Sequence, residues 1–335
     1  MIRFGIIGTN FITDNLLAAA QKCPEFQLKA VYSRSMDRAR EFAAKYGAEL
    51  TFDDLEAFAS CKEIDAVYVA SPNCFHAPQS ILMMEHGKHV LCEKPVASNL
   101  KEFQEMKAAS QRNGVVLLEA MRSLHTPAFA AIRDNLEKLG TIRRVSFDFS
   151  KYSSRYDKFK KGIIENAFNP ALSNSALMDI GVYCVAPLVA LWGMPDRIAS
   201  SSIILHNGME GAGTIIAEYK GGAKEGAAVM QAELLYSKIT DSKVPNQIQG
   251  EEGSMVIDSI STPQEVTILY RNGEKEILEL PKVSNNMCYE IAAFIELVKK
   301  QQSDHIWNSY SEMEMRVMDE VRRQQGICFP ADMEG

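Results

Sequence analysis

The segment Ile2-Arg3-Phe4-Gly5-Ile6-Ile7-Gly8-Thr9-Asn10-Phe11-Ile12-Thr13 passes from an apolar run into a helical pattern. Ile2–Ile7 reads as a strand, and Leu16, Leu17 and Ala20 carry the helical spacing that follows. A dinucleotide-binding turn needs small residues at such a junction. The backbone there must turn tightly and approach a pyrophosphate resting on the helix N-terminus. Gly8 fits the first glycine of that pattern; Asn10 and Thr13 stand where the second and third would be. Asn tolerates positive φ better than most non-glycine residues, so Asn10 is expected to keep the turn in that conformation. Gly8, Thr9, Asn10, Phe11 and Ile12 are then the candidate cofactor contacts. Taken alone, the segment also fits a structural strand–helix turn of an unrelated α/β protein.

The surrounding chain repeats this alternation. Strand patterns at 28–32, 65–70, 89–91 and 115–118 are separated by helical ones at 81–84 and 98–111 and by a helix that Ser35 caps. Asp53 and Glu56 have capping-box spacing for a further short helix. Such β-α-β units predict a parallel sheet with helices on both faces. After Met121 the pattern changes. Thr126-Pro127 is an N-cap and N1 pair for a helix ending near Gly140. Strands follow at 145–149, 214–219, 227–236, 254–258, Val266–Tyr270 and 276–280, with Asn272-Gly273 as a hairpin turn before the last. Two helices close the chain, the second opening with a box at Ser309 and Glu312. Strands in succession predict a large, mostly antiparallel open sheet. The reading is an α/β Rossmann domain over 1–122 and an α+β substrate-binding and oligomerisation domain over 123–335.

The bulk properties narrow the function classes. A chain of 335 residues exceeds one typical domain. A net charge of −7 argues against a nucleic-acid surface. The seven cysteines are odd in number and lack C-x-x-C spacing, which predicts a reducing compartment. A strand pattern beginning at Ile2 leaves no room for a signal peptide. The longest apolar stretch, Val182–Trp192, contains Pro187 and is too short to span a bilayer. The expected location is the cytoplasm, with no membrane partner.

Two segments carry the candidate chemistry. NAD sites usually place an acidic residue at the end of the second strand, to hold the ribose hydroxyls. Here the residues are Ser33-Arg34. A guanidinium pairs with a 2′-phosphate where a carboxylate would repel it. Arg34, helped by Arg38 one helical turn on, therefore favours NADP, with NAD as the second option. The other reading of Arg34 is a solvated residue before a helix. The second segment is Leu91-Cys92-Glu93-Lys94-Pro95, at the carboxyl end of a strand, where open α/β sheets bind ligands. The following proline restricts Lys94 to extended backbone. A lysine held there can exchange a proton with an alcohol oxygen while hydride moves; the blander reading is a surface lysine in a tight turn.

Taken together, the turn at Gly5, Gly8 and Asn10, Ser71-Pro72-Asn73 with His76, Glu93-Lys94-Pro95, and Asp179-Ile180-Gly181-Val182-Tyr183 resemble the Gfo/Idh/MocA family of glucose–fructose oxidoreductases and inositol dehydrogenases. The resemblance implies that Lys94 is the catalytic lysine, often joined to Pro95 by a cis bond. It implies that Ser71, Pro72, Asn73, His76 and Glu93 lie by the cofactor, and that Asp179 and Tyr183 face the substrate. Spacing supports the last pair independently, since residues four apart share a helix face. Tyr183 stands where many members have His, which resembles the NADP-using dihydrodiol dehydrogenase and glucose–fructose oxidoreductase branches. Ser173-Asn174-Ser175-Ala176 replaces a run that is usually glycine-rich in the family.

The expected activity is hydride transfer between NAD(P) and a sugar, polyol or related hydroxy or carbonyl compound, with Lys94 as acid/base and Tyr183 its partner. The alternatives are a non-catalytic NAD(P)-binding regulator and a dehydrogenase of aromatic trans-diols. A homodimer or higher homo-oligomer formed through the open sheet is expected by analogy. His86 and His89 have helical ligand spacing, but Gly87 is expected to end the helix, so no metal is assigned. Cys92 reads as packing, and Tyr152, Arg155, Tyr156 and Lys158 read as a solvated loop, with substrate binding as the second option.

Overall fold

Alternating strand and helix build a six-stranded sheet in the first unit of the computed structural model, which describes residues 1–220 and 230–333. The elements are β1 (Ile2–Ile7), α1 (Phe11–Ala20), β2 (Phe26–Tyr32), α2 (Met36–Tyr46), β3 (Leu50–Phe52), α3 (Leu55–Ala59), β4 (Ala66–Val69), α4 (His76–Glu85), β5 (His89–Glu93), α5 (Leu100–Asn113) and β6 (Leu117–Ala120). The strand order is β3-β2-β1-β4-β5-β6, all parallel. This is the two-halved Rossmann order, and its direction reverses between β1 and β4. The residues following those two strands, Gly8 and Ser71, therefore border the ligand crevice of such a sheet. Phe4, Ile6, Val31, Tyr68, Leu91 and Leu118 are fully buried, as parallel strands covered on both faces require. The short strand β3 has no counterpart in the sequence reading. The cap of α3 is Asp54, not Asp53: Asp54 Oδ1 accepts from Ala57 N at 2.7 Å.

In the second unit, α6 (Pro127–Asp134) opens as its sequence requires, with Thr126 Oγ1 accepting from Phe129 N at 3.1 Å. Then follow β7 (Ile142–Ser150), α7 (Tyr156–Lys160), α8 (Val182–Trp192), β8 (Arg197–Ile204), β9 (Glu210–Tyr219), β10 (Met230–Ser237), β11 (Asn246–Gly250), β12 (Gly253–Ile257), β13 (Val266–Tyr270) and β14 (Lys275–Ile277). They form an eight-stranded sheet in the order β14-β13-β12-β11-β7-β10-β9-β8, antiparallel except for β7 with β10. One face is core. The cross-strand row Ala217, Ala232, Val145, Ile248, Met255 and Ile268 is fully buried. The next row, Ile216, Glu233, Ser146, Gln247, Val256 and Thr267, is half-exposed and mixes polar with apolar groups. Strands β8 and β11 escape sequence reading because Ser200-Ser201-Ser202 and Asn246-Gln247 have little strand preference of their own. The sequence reading of a strand over 227–236 is met from Met230; residues 227–229 lie outside the described ones.

Two helices end the chain, α9 (Met287–Lys299) and α10 (Ile306–Gln325). The first unit comprises Met1–Met121 with Ser284–Glu312, the second Arg122–Val283 with Met313–Gly335. A single boundary at 122 does not describe this division, because α9 returns to the first core. Ile291 and Phe294 are fully buried there, with the Phe294 ring 5.7 Å from that of Phe4. Helix α10 begins at Ile306, so Ser309 lies within its first turn instead of capping it. Among the described residues no helix is long and apolar enough to cross a membrane.

Candidate active site

The turn after β1 shows why Gly8 is glycine. Its φ is +103°, and a Cβ there would lie 2.4 Å from Ala70 O. Asn10 departs from expectation: its φ is −115°, in the extended region. It serves instead as the N-cap of α1, with Oδ1 accepting from Ile12 N at 2.9 Å and Nδ2 donating to Ala70 O at 2.8 Å. Thr13, in the place of the third glycine, is buried and donates to Gly8 O at 2.7 Å. The degenerate motif thus replaces glycine's freedom with hydrogen bonds that fix the same turn. Arg38 reaches across from α2 to Thr9, with Nη2 2.9 Å from its carbonyl oxygen and Nε 3.2 Å from its hydroxyl. Ser33 N donates to Phe52 O at 3.0 Å, and Arg34 and Phe11 are exposed.

The Lys94 loop rests on a buried polar frame. The Lys94–Pro95 bond is cis. Glu93 is buried; Tyr68 donates its phenol hydrogen to Glu93 Oε1, and Lys94 N lies 3.3 Å from Glu93 Oε2. Burial and the Glu93 carboxylate push the Tyr68 hydroxyl well above its ordinary range. Glu119, also buried, accepts from Val96 N at 2.9 Å and from Ser311 Oγ at 2.6 Å. His76 bridges the two loops: Nδ1 lies 2.8 Å from Pro95 O and Nε2 2.8 Å from Ser71 O. Burial lowers the ring's pKa, while the two carbonyls act in the opposite direction. Pro72 and Asn73 lead into the short turn before α4, with Asn73 buried. Burial also pushes the Cys92 thiol far up, as befits a packing residue.

These residues fit a dinucleotide. The Gly8 turn admits a close backbone approach at the start of α1, where an anion is favoured. Ser71 Oγ, at the carboxyl end of β4, is buried without a hydrogen-bond partner, an arrangement that a bound polar ligand would satisfy.

In the second unit, Asp179 stands in a π-helical turn, Leu177–Gly181, that runs directly into α8 and Tyr183. Turns of this kind are frequent at functional sites. The Tyr183 ring meets Phe149 edge-on at 5.5 Å. Gly181 packs tightly, since a Cβ there would lie 3.0 Å from the buried Tyr236 ring. In the run preceding Asp179, Ser173 takes φ +56°, and Ser173, Ser175 and Ala176 are buried. Lys238, absent from the sequence reading, lies with Nζ 2.9 Å from Asp179 Oδ2. A lysine following a strand gives no sequence signal of burial. Tyr152, Arg155 and Lys158 pair locally: Tyr152 with Asp157 at 2.8 Å, and Arg155 and Lys158 with Glu165 at 3.5 and 2.5 Å. Gly87, at φ +74°, ends α4; His86 pairs with Glu56 at 3.0 Å and His89 Nδ1 accepts from Val116 N at 2.9 Å.

Residues 2–121 match the model of an oxidoreductase family with an NAD-binding Rossmann fold, Gfo/Idh/MocA. Over 334 residues the chain is 47% identical to the scyllo-inositol 2-dehydrogenase (NADP(+)) IolU of Bacillus subtilis, covering 99% of both chains. The chain belongs to the Gfo/Idh/MocA family. This NAD(P)-dependent oxidoreductase is also 27% identical to the trans-1,2-dihydrobenzene-1,2-diol dehydrogenase of Mus musculus, over 99% of each. Its fold matches the crystal structure of KijD10, a 3-ketoreductase from Actinomadura kijaniata in complex with NADP and TDP-benzene. The TM-score is 0.83 at 24% identity, over 97% of this chain and 98% of the other. That degree of likeness carries the fold alone.

Proposed function

We propose that this oxidoreductase is an NADP(H)-dependent dehydrogenase of a neutral polyol, with inositol-class rings as its first substrates to test. The observation that carries the proposal is the 47% identity, over 99% of both chains, to an NADP(+)-dependent scyllo-inositol dehydrogenase. The nicotinamide supplies hydride acceptance and donation. In this reading Lys94 exchanges a proton with the reacting oxygen, Tyr183 hydrogen-bonds it, and Asp179 accepts from neighbouring hydroxyls. Gly8, Thr9, Asn10, Phe11 and Ile12 receive the pyrophosphate; Ser71, Pro72, Asn73, His76 and Glu93 line the nicotinamide side. Arg34, with Arg38, meets the 2′-phosphate, and the absence of a carboxylate at the end of β2 supports that preference. The proposal includes a cytoplasmic homodimer formed through the half-exposed face of the eight-stranded sheet.

The test is absorbance at the reduced-nicotinamide band with purified protein, NADP+ or NAD+, and scyllo-inositol, myo-inositol or an aromatic trans-diol. Turnover of an inositol with NADP+ is the expected result. Turnover of the diol alone would move the assignment to that class. Tight NADPH binding without turnover of any of them would favour the regulatory alternative.

A further inference from the structure

We infer that Lys238 is a positioning residue, holding the Asp179 carboxylate ionised and oriented to accept hydrogen bonds from a neutral, hydroxyl-bearing substrate. The inference rests on the reading of Asp179 as a substrate-facing group.

The Lys238 side chain is 1% exposed. Lysines are almost never buried to this degree unless paired. Its ammonium is surrounded by three groups of suitable charge: Asp179 Oδ2 at 2.9 Å, the carbonyl oxygen of Ala167, and the face of Phe168 with its centroid at 4.8 Å. The backbone is fixed on both sides. Lys238 N donates to Gly211 O at 2.8 Å, and its carbonyl accepts from Ser153 N at 2.9 Å. The ammonium is therefore held by the framework of the sheet rather than by a mobile stem.

The pair is asymmetric. Lys238 is sealed, whereas the Asp179 side chain remains 36% exposed. A pair serving only the core would have no reason to leave its acidic end open. The turn carrying Asp179 is braced a second time from beneath, because the buried Glu210 accepts from Leu177 N at 2.7 Å. A cation behind a carboxylate favours its ionised form, which only accepts hydrogen bonds. Such a group selects hydroxyl donors and repels carboxylates and phosphates. The substrate group meeting Asp179 is accordingly a neutral hydroxyl rather than an anionic group.

The experiment measures kcat and KM for scyllo- and myo-inositol with NADP+ in the full-length wild type, Lys238→Met, Lys238→Arg, Asp179→Asn and the Lys238→Met/Asp179→Asn double variant. NADPH affinity and the melting temperature serve as controls. We expect Lys238→Met to lose at least ~10-fold in kcat/KM, the size of a lost charge-assisted hydrogen bond. NADPH affinity should be unchanged, Arg should restore part of the loss, and the double variant should be no worse than Asp179→Asn. If Lys238→Met is unstable, Lys238→Gln, which keeps a donor without the charge, is read in the same way. Wild-type kcat/KM in the neutral variant beside an impaired Asp179→Asn overturns the inference alone, as do losses that multiply in the double variant. An unimpaired Asp179→Asn, or a wild type inert toward both scyllo- and myo-inositol, overturns the underlying reading and the inference with it.

Discussion

Tyr68 and Glu93, on adjacent parallel strands and both buried, share a hydrogen bond directly beneath the Lys94 backbone. The carboxylate receives the phenol on one oxygen and approaches the Lys94 amide with the other. Removing the phenol hydroxyl takes a hydrogen bond away from a buried carboxylate, which costs roughly 1–3 kcal/mol. Tyr68→Phe should therefore melt several degrees below wild type by calorimetry and should lose kcat/KM. Wild-type values of both would remove Tyr68 from the support of the loop.

Lys94→Ala should lower kcat at least ~10²-fold, the usual loss when a general acid or base is removed. Steady-state kinetics with the best inositol substrate check this, beside fluorescence titration with NADPH to show an intact cofactor site. Unchanged turnover would transfer the proton role to another group.

Arg34 separates the coenzymes. Arg34→Ala should weaken NADPH by ~10-fold or more, as expected for a lost charge-assisted contact, and leave NADH nearly unchanged. Parallel titrations with the two coenzymes read the difference directly. Equal weakening would show that the guanidinium does not meet the 2′-phosphate.

Two histidines, His305 buried and His89 partly buried, give the protein an acid limb. Burial lowers the pKa of both His89 and His305, whose Nε2 lies 2.9 Å from Leu117 O. Their folded values lie below the unfolded value of about 6.5, so the unfolded chain takes up protons first. The stabilisation is complete above that value and declines as pH falls through it, by up to about 1.4 kcal/mol per pH unit for each group. Melting temperatures should fall from pH 7.5 to 5.5, and less steeply in a folded His89→Gln variant. Parallel pH profiles for the two proteins would exclude His89 as a contributor.

The legible parts of the fold were those with local causes. Thr126 capped its helix as its side-chain chemistry requires, and the alternating β-α pattern marked the parallel sheet. Asn10 illustrates the limit. Its place in the motif was readable, but its conformation depended on Ala70, a distant residue that receives its amide hydrogen. The caps at Asp53 and Ser309 failed for a related reason: several polar residues near a helix start can serve, and packing of the helix chooses its first turn.

Sequence alone determined the parallel Rossmann class of the first sheet, the degenerate turn at Gly8, the Lys94 loop and the helical stretch that carries Asp179 and Tyr183. Periodicity and turn chemistry act between near neighbours, so a linear reading reaches them. Tertiary structure decided the return of Ser284–Glu312 to the first unit, the entry of β8 and β11 into the sheet, and the burial of Lys238 against Asp179. Those outcomes depend on which distant surfaces exclude water together. A lysine has the same local signature whether its ammonium meets solvent or a carboxylate folded over it.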